Sequence, residues 1–320
     1  MAKVLLHDHL DGGLRAQTLL DLAEAAGYRG LPASEPEPLT KALAAEAQVG
    51  SLVGYLRVFR YSLAVMQTSS ALERVGRDCV ADLAADGIGY AEVRFAPEAH
   101  TNFGLTLDDA IEAVLAGFSH ARGRGIEIGL ICTALRDQPN SSDVAAAAGR
   151  WAGRGVVGFD LAGPEIGFPA EIHAEAVRHA RNAGLGITIH AGEASGVDSI
   201  VDALEQGATR IGHGVQIIDD LDTSQDPPRP GPVAERLIAT GTVLEISPTS
   251  NVHTGFVETF ADHPIETIRR AGIAVTVNTD NRLFSGLTLS SELEQMTRHH
   301  GWGPTEIEAS FEAARNAAFS

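Results

Sequence analysis

His7 and His9 flank Asp8 at the end of a short apolar run, Val4-Leu5-Leu6. Such a run reads as a buried strand, and residues two apart on a strand point to the same side. Two imidazoles converging at a strand end suit a first-row metal, most often zinc. A pair of hydrogen-bonded histidines is the alternative, and further ligands later in the chain favour the metal. His190 lies in Ile189-His190-Ala191-Gly192-Glu193, His213 in Ile211-Gly212-His213-Gly214, and Asp280 in Val277-Asn278-Thr279-Asp280-Asn281. Each could be a satisfied buried polar group. Gathered at one mouth, two to three histidines and one aspartate make a mononuclear zinc site with a place left for water.

Other chemistries find no support. The chain has only two lysines, Lys3 and Lys41, neither in a central strand. That excludes a dinuclear site bridged by a modified strand lysine, and Schiff-base catalysis from a barrel interior. No phosphate-cradling glycine motif follows a strand, and no Gly-x-Ser-x-Gly elbow occurs. Metal-activated water is the remaining route.

Positioning these residues takes a regular scaffold. After the first strand comes a long helical insertion, with patterns at 16–26, 41–49, 52–66 and 70–86. Leu56, Phe59 and Leu63 in it could roof a pocket, although ordinary helix core is the expected role for most such residues. Strand patterns then alternate with helical ones at 88–95, 126–133, 156–161, 187–190, 209–211, 242–246 and 273–278. Eight strands in all, apolar and β-branched, each followed by a helical stretch, predict an α/β fold: a (β/α)8 TIM barrel with a helical insertion after the first strand. One domain over 1–320 is expected, with 219–232 a surface loop. The candidate ligands all fall at C-terminal strand ends, where barrels of this kind place their chemistry. His120, His173, His179, His299 and His300 read as solvated helix surface. His100, His253 and His263 fall in loops, and the first two could line the mouth.

The chain resembles the adenosine deaminase family, especially its actinobacterial branch. The matching stretches are His7-Asp-His-Leu-Asp-Gly12, Tyr90-Ala-Glu-Val-Arg-Phe-Ala-Pro97, Gly158-Phe-Asp-Leu-Ala-Gly163, Thr188-Ile-His-Ala-Gly-Glu193, Ile211-Gly-His-Gly214, Ser247-Pro-Thr-Ser-Asn251 and Val277-Asn-Thr-Asp280. They run in family order over nearly the whole chain. The resemblance implies that His7, His9, His190 and Asp280 hold one zinc ion. It implies that Glu193 protonates purine N1, and that His213 orients and helps deprotonate the water. Asp11 would bond a ribose hydroxyl, and the Gly163 N–H a purine ring nitrogen. Many family members follow the zinc aspartate with Asp and Pro, where this chain has Asn281 and Arg282. The Asn281 amide can donate to purine N7 while neutral, which a carboxylate cannot. The sequence ends at Ser320, where family members usually carry a longer helical tail; the resemblance puts stability, not chemistry, in question there.

The implied reaction is hydrolytic deamination of adenosine and 2′-deoxyadenosine in purine salvage. Adenine, an aminofutalosine-type nucleoside or a modified nucleoside are alternative substrates, and an inactive ligand-binding barrel is a reading of another class. Family members acting on free adenine tend to carry His-Ile-Glu-Gly where this chain has His9-Leu10-Asp11-Gly12, so adenosine is expected over adenine. The competing role for Asp11 is a cap on the following helix. Composition agrees with a small neutral substrate: 24 basic against 42 acidic residues, net −18, disfavour nucleic acid and anionic membranes. Two cysteines form no disulfide framework, and neither a signal peptide nor a transmembrane stretch is seen, so a cytoplasmic location is expected.

Overall fold

The computed structural model describes residues 2–319. Among them, eight parallel strands follow one another in sequence order: β1 (Lys3–His9), β2 (Ile88–Phe95), β3 (Glu127–Leu135), β4 (Val156–Ala162), β5 (Gly186–Ala191), β6 (Arg210–His213), β7 (Val243–Ile246) and β8 (Val275–Val277). The ring closes just past β8. The Asp280 N–H donates to the His7 carbonyl at 3.0 Å, and the His9 N–H to the Asp280 carbonyl at 2.6 Å. With helices outside, this is the expected (β/α)8 barrel. No helix among the described residues is long and apolar enough to cross a membrane.

The barrel interior departs from an apolar core. Arg210 bonds Glu92 and lies 2.6 Å from Glu245, while Arg94 bonds Glu245 at 2.7 Å and Asp160 at 3.3 Å. All five side chains are fully buried or nearly so. Alternating signs compensate the cost of burying each charge. The chain end closes the floor beneath them. The Phe319 ring lies 3.6 Å under the Arg210 guanidinium, and its N–H donates to Glu92 at 2.6 Å. Gly186 makes room for that ring, since a Cβ there would meet Phe319 at 2.2 Å.

Three expectations need correction. The single helix expected over 52–66 is broken into Leu52–Leu56, a 3-10 turn Arg57–Phe59, and Arg60–Val65. Gly54 weakens the first piece, and the tighter turn swings Phe59 inward against His9 and Phe284, at ring separations of 6.2 and 4.9 Å. Residues 219–232 are not wholly irregular: Leu221–Asp222 and Arg229–Pro230 pair as a small antiparallel ribbon. His173 is buried, not solvated, because its two ring nitrogens bond Ser141 and the Arg136 carbonyl. His300 is half-buried, with Nε2 bonded to the Phe260 carbonyl.

Candidate active site

Strand alternation puts His7 and His9 on the lumen side of the β1 end. His190 comes from β5 and Asp280 from the turn after β8. One ligand atom from each gives a set lying within 4.8 Å of one another. His7 Nε2 and Asp280 Oδ1 are 3.3 Å apart, His9 Nε2 and Asp280 Oδ1 3.4 Å, and His9 Nε2 and His190 Nε2 3.3 Å. Four ligands at about 2.0–2.1 Å from a tetrahedral ion would be separated by roughly 3.3–3.4 Å. His7 Nε2 is buried without a hydrogen-bond partner. Both observations fit a metal ion.

The groups behind the ligands complete the fit. His7 Nδ1 meets Glu245 at 2.9 Å, and His190 Nδ1 meets Asp160 at 3.0 Å. A carboxylate accepts only, so each Nδ1 carries a proton, and in the neutral ring each Nε2 presents a lone pair. Burial lowers the His190 pKa and takes that of His9 down to about 3, which keeps both imidazoles neutral for ligation. Burial would raise the Asp280 carboxyl, but the adjacent His7, His9 and His213 rings hold it well below the usual range. Ser250 Oγ donates to its other oxygen at 2.5 Å.

His213 is backed differently. The Ile265 N–H donates to His263 Nδ1 at 3.1 Å, so His263 carries its proton on Nε2. That N–H donates to Asn251 Oδ1 at 3.2 Å, which leaves the Asn251 NH₂ to donate to His213 Nδ1 at 3.2 Å. Neutral His213 therefore carries its proton on Nε2. A fixed backbone donor sets the whole chain of tautomers, and flipping Asn251 would oppose two donors. Nε2 lies 3.7 Å from Glu193 Oε2. Burial pushes the His213 pKa well below its ordinary value. Burial, with the charges of Asp280 and Glu165, lifts the Glu193 carboxyl well above its own. His213 and Asp280 both have positive φ, 60° and 54°. This left-handed backbone is uncommon outside glycine and concentrates at functional positions.

A cavity of about 180 Å³ opens beside His9, lined also by Asp11, Gly163 and the insertion residues Leu56, Phe59 and Leu63. These three therefore roof a pocket rather than serving only as helix core. Asp11 does not cap the next helix, whose N-cap position is Arg15, without a side-chain bond. Its Oδ2 accepts weakly from the Ala96 N–H at 3.5 Å and lies 3.6 Å from His100 Nε2, and its Oδ1 is buried without a partner. Asn281 is buried beside Asp280, with Oδ1 also unpartnered. It packs so tightly on Gly12 that a Cβ there would meet Oδ1 at 1.8 Å. Glu193, His213 and Asn281 are not among the walls of that cavity; they stand by the cluster of His7, His9, His190 and Asp280.

The family profile "Adenosine deaminase" matches residues 2–320. An adenosine deaminase of Mycobacteroides abscessus is 46% identical over 325 residues, covering 99% of this chain and 90% of that protein. One from Mycobacterium avium is 46% identical over 329 residues with the same coverage.

The chain belongs to the adenosine deaminase family.

Solved structures similar to this family member include an adenine deaminase from Arthrobacter aurescens, with a TM-score of 0.87 at 27% identity, covering 100% of this chain and 94% of that one. A zinc-bound amidohydrolase from Burkholderia ambifaria has a TM-score of 0.84 at 26% identity, covering 100% and 86%. Several residues that build this deaminase-family site are given no role by the sequence alone: Glu245, Asp160, Asn251, His263 and Glu165. For Glu245 and Asp160 a signal existed, because each is a charge set inside an apolar strand.

Proposed function

We propose that this chain hydrolyses the 6-amino group of adenosine and 2′-deoxyadenosine, giving inosine or 2′-deoxyinosine and ammonia, with one zinc ion held by His7, His9, His190 and Asp280. When bound, the metal supplies an activated water. The hydroxyl of water adds at C6 as N1 gains a proton; the hydroxyl proton then passes to the amino nitrogen while the C6–N6 bond breaks, ammonia leaves, and the other proton of the water restores the acid. Glu193, its carboxyl kept protonated by burial, gives the proton to N1. His213 donates from Nε2 and orients the attacking oxygen. Of its two implied roles, orienting rather than proton removal is the one this tautomer performs. The Gly163 N–H and the Asn281 amide hold the purine, and Phe59 with its neighbours excludes water from it. The cytoplasm and purine salvage are the setting we infer.

The observation that carries this reading is the clustering of four metal-type ligand atoms near the buried Glu193 carboxyl, 3.7 Å from His213. The unpartnered Asp11 oxygen in the adjoining cavity supports a nucleoside. A ribose hydroxyl offers it a donor; free adenine leaves a buried carboxylate unsatisfied. Similarity to an adenine deaminase structure makes the free base the second reading. Ammonia release from adenosine and adenine, measured for wild type and Asp11→Ala, tests both. Adenosine should be preferred, and Asp11→Ala should narrow the preference. Faster turnover of adenine by the wild type would overturn the nucleoside assignment.

A further inference from the structure

Glu165 lies two residues beyond Gly163, on the loop that leaves β4. Its side chain is buried, and its partners come from one distant segment. Oε1 accepts from the Gly192 N–H at 2.6 Å and from Ser199 Oγ. Oε2 accepts from the N–H groups of Glu193, Ala194 and Ser195 at 3.2, 2.6 and 2.8 Å. Four consecutive peptide N–H groups thus converge on one carboxylate. Gly192, at φ 65°, makes the turn that aims them inward. A run of backbone donors of this kind is a concave anion site; here the chain fills it with its own anion. A carboxylate offers about four lone-pair sites on two oxygens, and five donors saturate it. No neutral side chain of that size offers as many.

The segment so pinned is the one that carries Glu193 from the end of β5 to the helix Val197–Glu205. The pin itself is joined through Pro164 to Gly163, whose N–H we assign to the purine. We propose that Glu165 is the positioning residue for Glu193, fixing the proton donor relative to the backbone that holds the base. This rests on the reading of Glu193 as the acid. It differs from a plain scaffold role in acting through one side chain, so its effect vanishes once that side chain cannot donate.

A double-mutant cycle tests this on the zinc-loaded protein, with kcat, KM, metal content and thermal midpoint measured for wild type, E165Q, E193Q and the double variant. E165Q replaces one acceptor oxygen with an NH₂ that opposes peptide N–H groups. Misplacing a reacting group by about 1 Å costs on the order of 100-fold, so kcat should fall by roughly 10- to 100-fold, with KM and metal content near wild type. In the E193Q background, E165Q should lower kcat by less than about twofold, because coupled residues are not additive. Equal losses in both backgrounds, an unchanged kcat in E165Q, or loss of metal would overturn the proposal. If E165Q does not fold, E165D takes its place in the cycle; it keeps the acceptors but shortens the tether, and the same outcomes decide. If E193Q itself turns over at the wild-type rate, the acid assignment fails and this proposal with it. If E193Q is impaired and E165Q is not, the positioning role alone fails.

Discussion

His190 and His213 stand on the neighbouring strands β5 and β6, His7 comes from β1 across the barrel, and all three rings meet within 4.7–5.3 Å between centroids. They differ in what lies behind them. Carboxylates accept from the Nδ1 of His7 and of His190, whereas an amide donates to the Nδ1 of His213. The partner on the far nitrogen decides what the near nitrogen offers: a lone pair for a metal, or an N–H for an oxygen. Three buried histidines within one cluster are thereby sorted into two proposed ligands and one proposed donor with no difference in residue type.

Glu193, the proposed proton donor beside His213, gives the largest expected effect. Glu193→Gln should lower kcat by at least roughly 100-fold and leave the metal in place, since Glu193 is not part of the ligand cluster. Because burial lifts the Glu193 carboxyl well above its ordinary value, the wild type should lose turnover on the alkaline side as that proton leaves. The variant should lack this limb. Turnover within a few-fold of wild type would remove Glu193 from the chemistry.

Breaking the carboxylate backing comes next. Asp160→Asn keeps the shape behind His190 but withdraws the charge, and outer partners of this kind are worth about 10- to 100-fold in metal affinity. Competition with a chelator measures it. An unchanged affinity would mean that Asp160 is there to serve Arg94 and not His190.

The amide-backed histidine should lose turnover and not metal. Asn251→Leu frees His213 to choose its tautomer and leaves metal affinity alone. Loss of one hydrogen bond of about 1 kcal/mol corresponds to roughly a fivefold drop in kcat. Loss of metal instead would erase the distinction between the two kinds of backing.

The smallest effect on activity belongs to Glu292, which accepts from Thr249 N at 2.8 Å and from its hydroxyl at 2.6 Å, behind Ser250 and Asn251. Burial raises its carboxyl from 4.5 to about 7, against the pull of the Thr249 bonds. A carboxyl raised on folding contributes stability that is fully present below the unfolded value and is lost as pH climbs through the folded one. Wild type should therefore give up stability between those two values, on the order of 3 kcal/mol from this group. Glu292→Gln is neutral throughout and can satisfy both Thr249 groups. It should match wild type near pH 5 and be the more stable near pH 8 in denaturant titrations. Parallel pH profiles would show that Glu292 is ionised in the fold across the range.

Much of this was legible in the sequence, for physical reasons that also explain the gaps. His7 and His9 announce themselves because a strand alternates sides, and a barrel puts His190 and Asp280 at the same end. The rhythm of strands and helices gave the barrel, but not the 3-10 turn that rotates Phe59 inward, because periodicity is blind to a local tightening of the helix. Glu193 and Asp11 took meaning only from family resemblance, and Asp11 as a helix cap was a fair competitor until the backbone placed the cap at Arg15. The backing residues stayed hidden because their partners are far off in the chain: Glu245 and Asp160 reach across strands, and Glu165 bonds a segment about 30 residues on. His173 shows the converse error, a helical histidine read as solvated whose two bonds are buried.

The central claim is that what lies behind each histidine assigns its role. It is tested most directly by metal content in two variants purified side by side, His190→Ala and His213→Ala. The account predicts that His213→Ala retains about one zinc per chain, as a mononuclear site should, while His190→Ala falls well below that. Zinc lost from His213→Ala, or fully retained by His190→Ala, would contradict it.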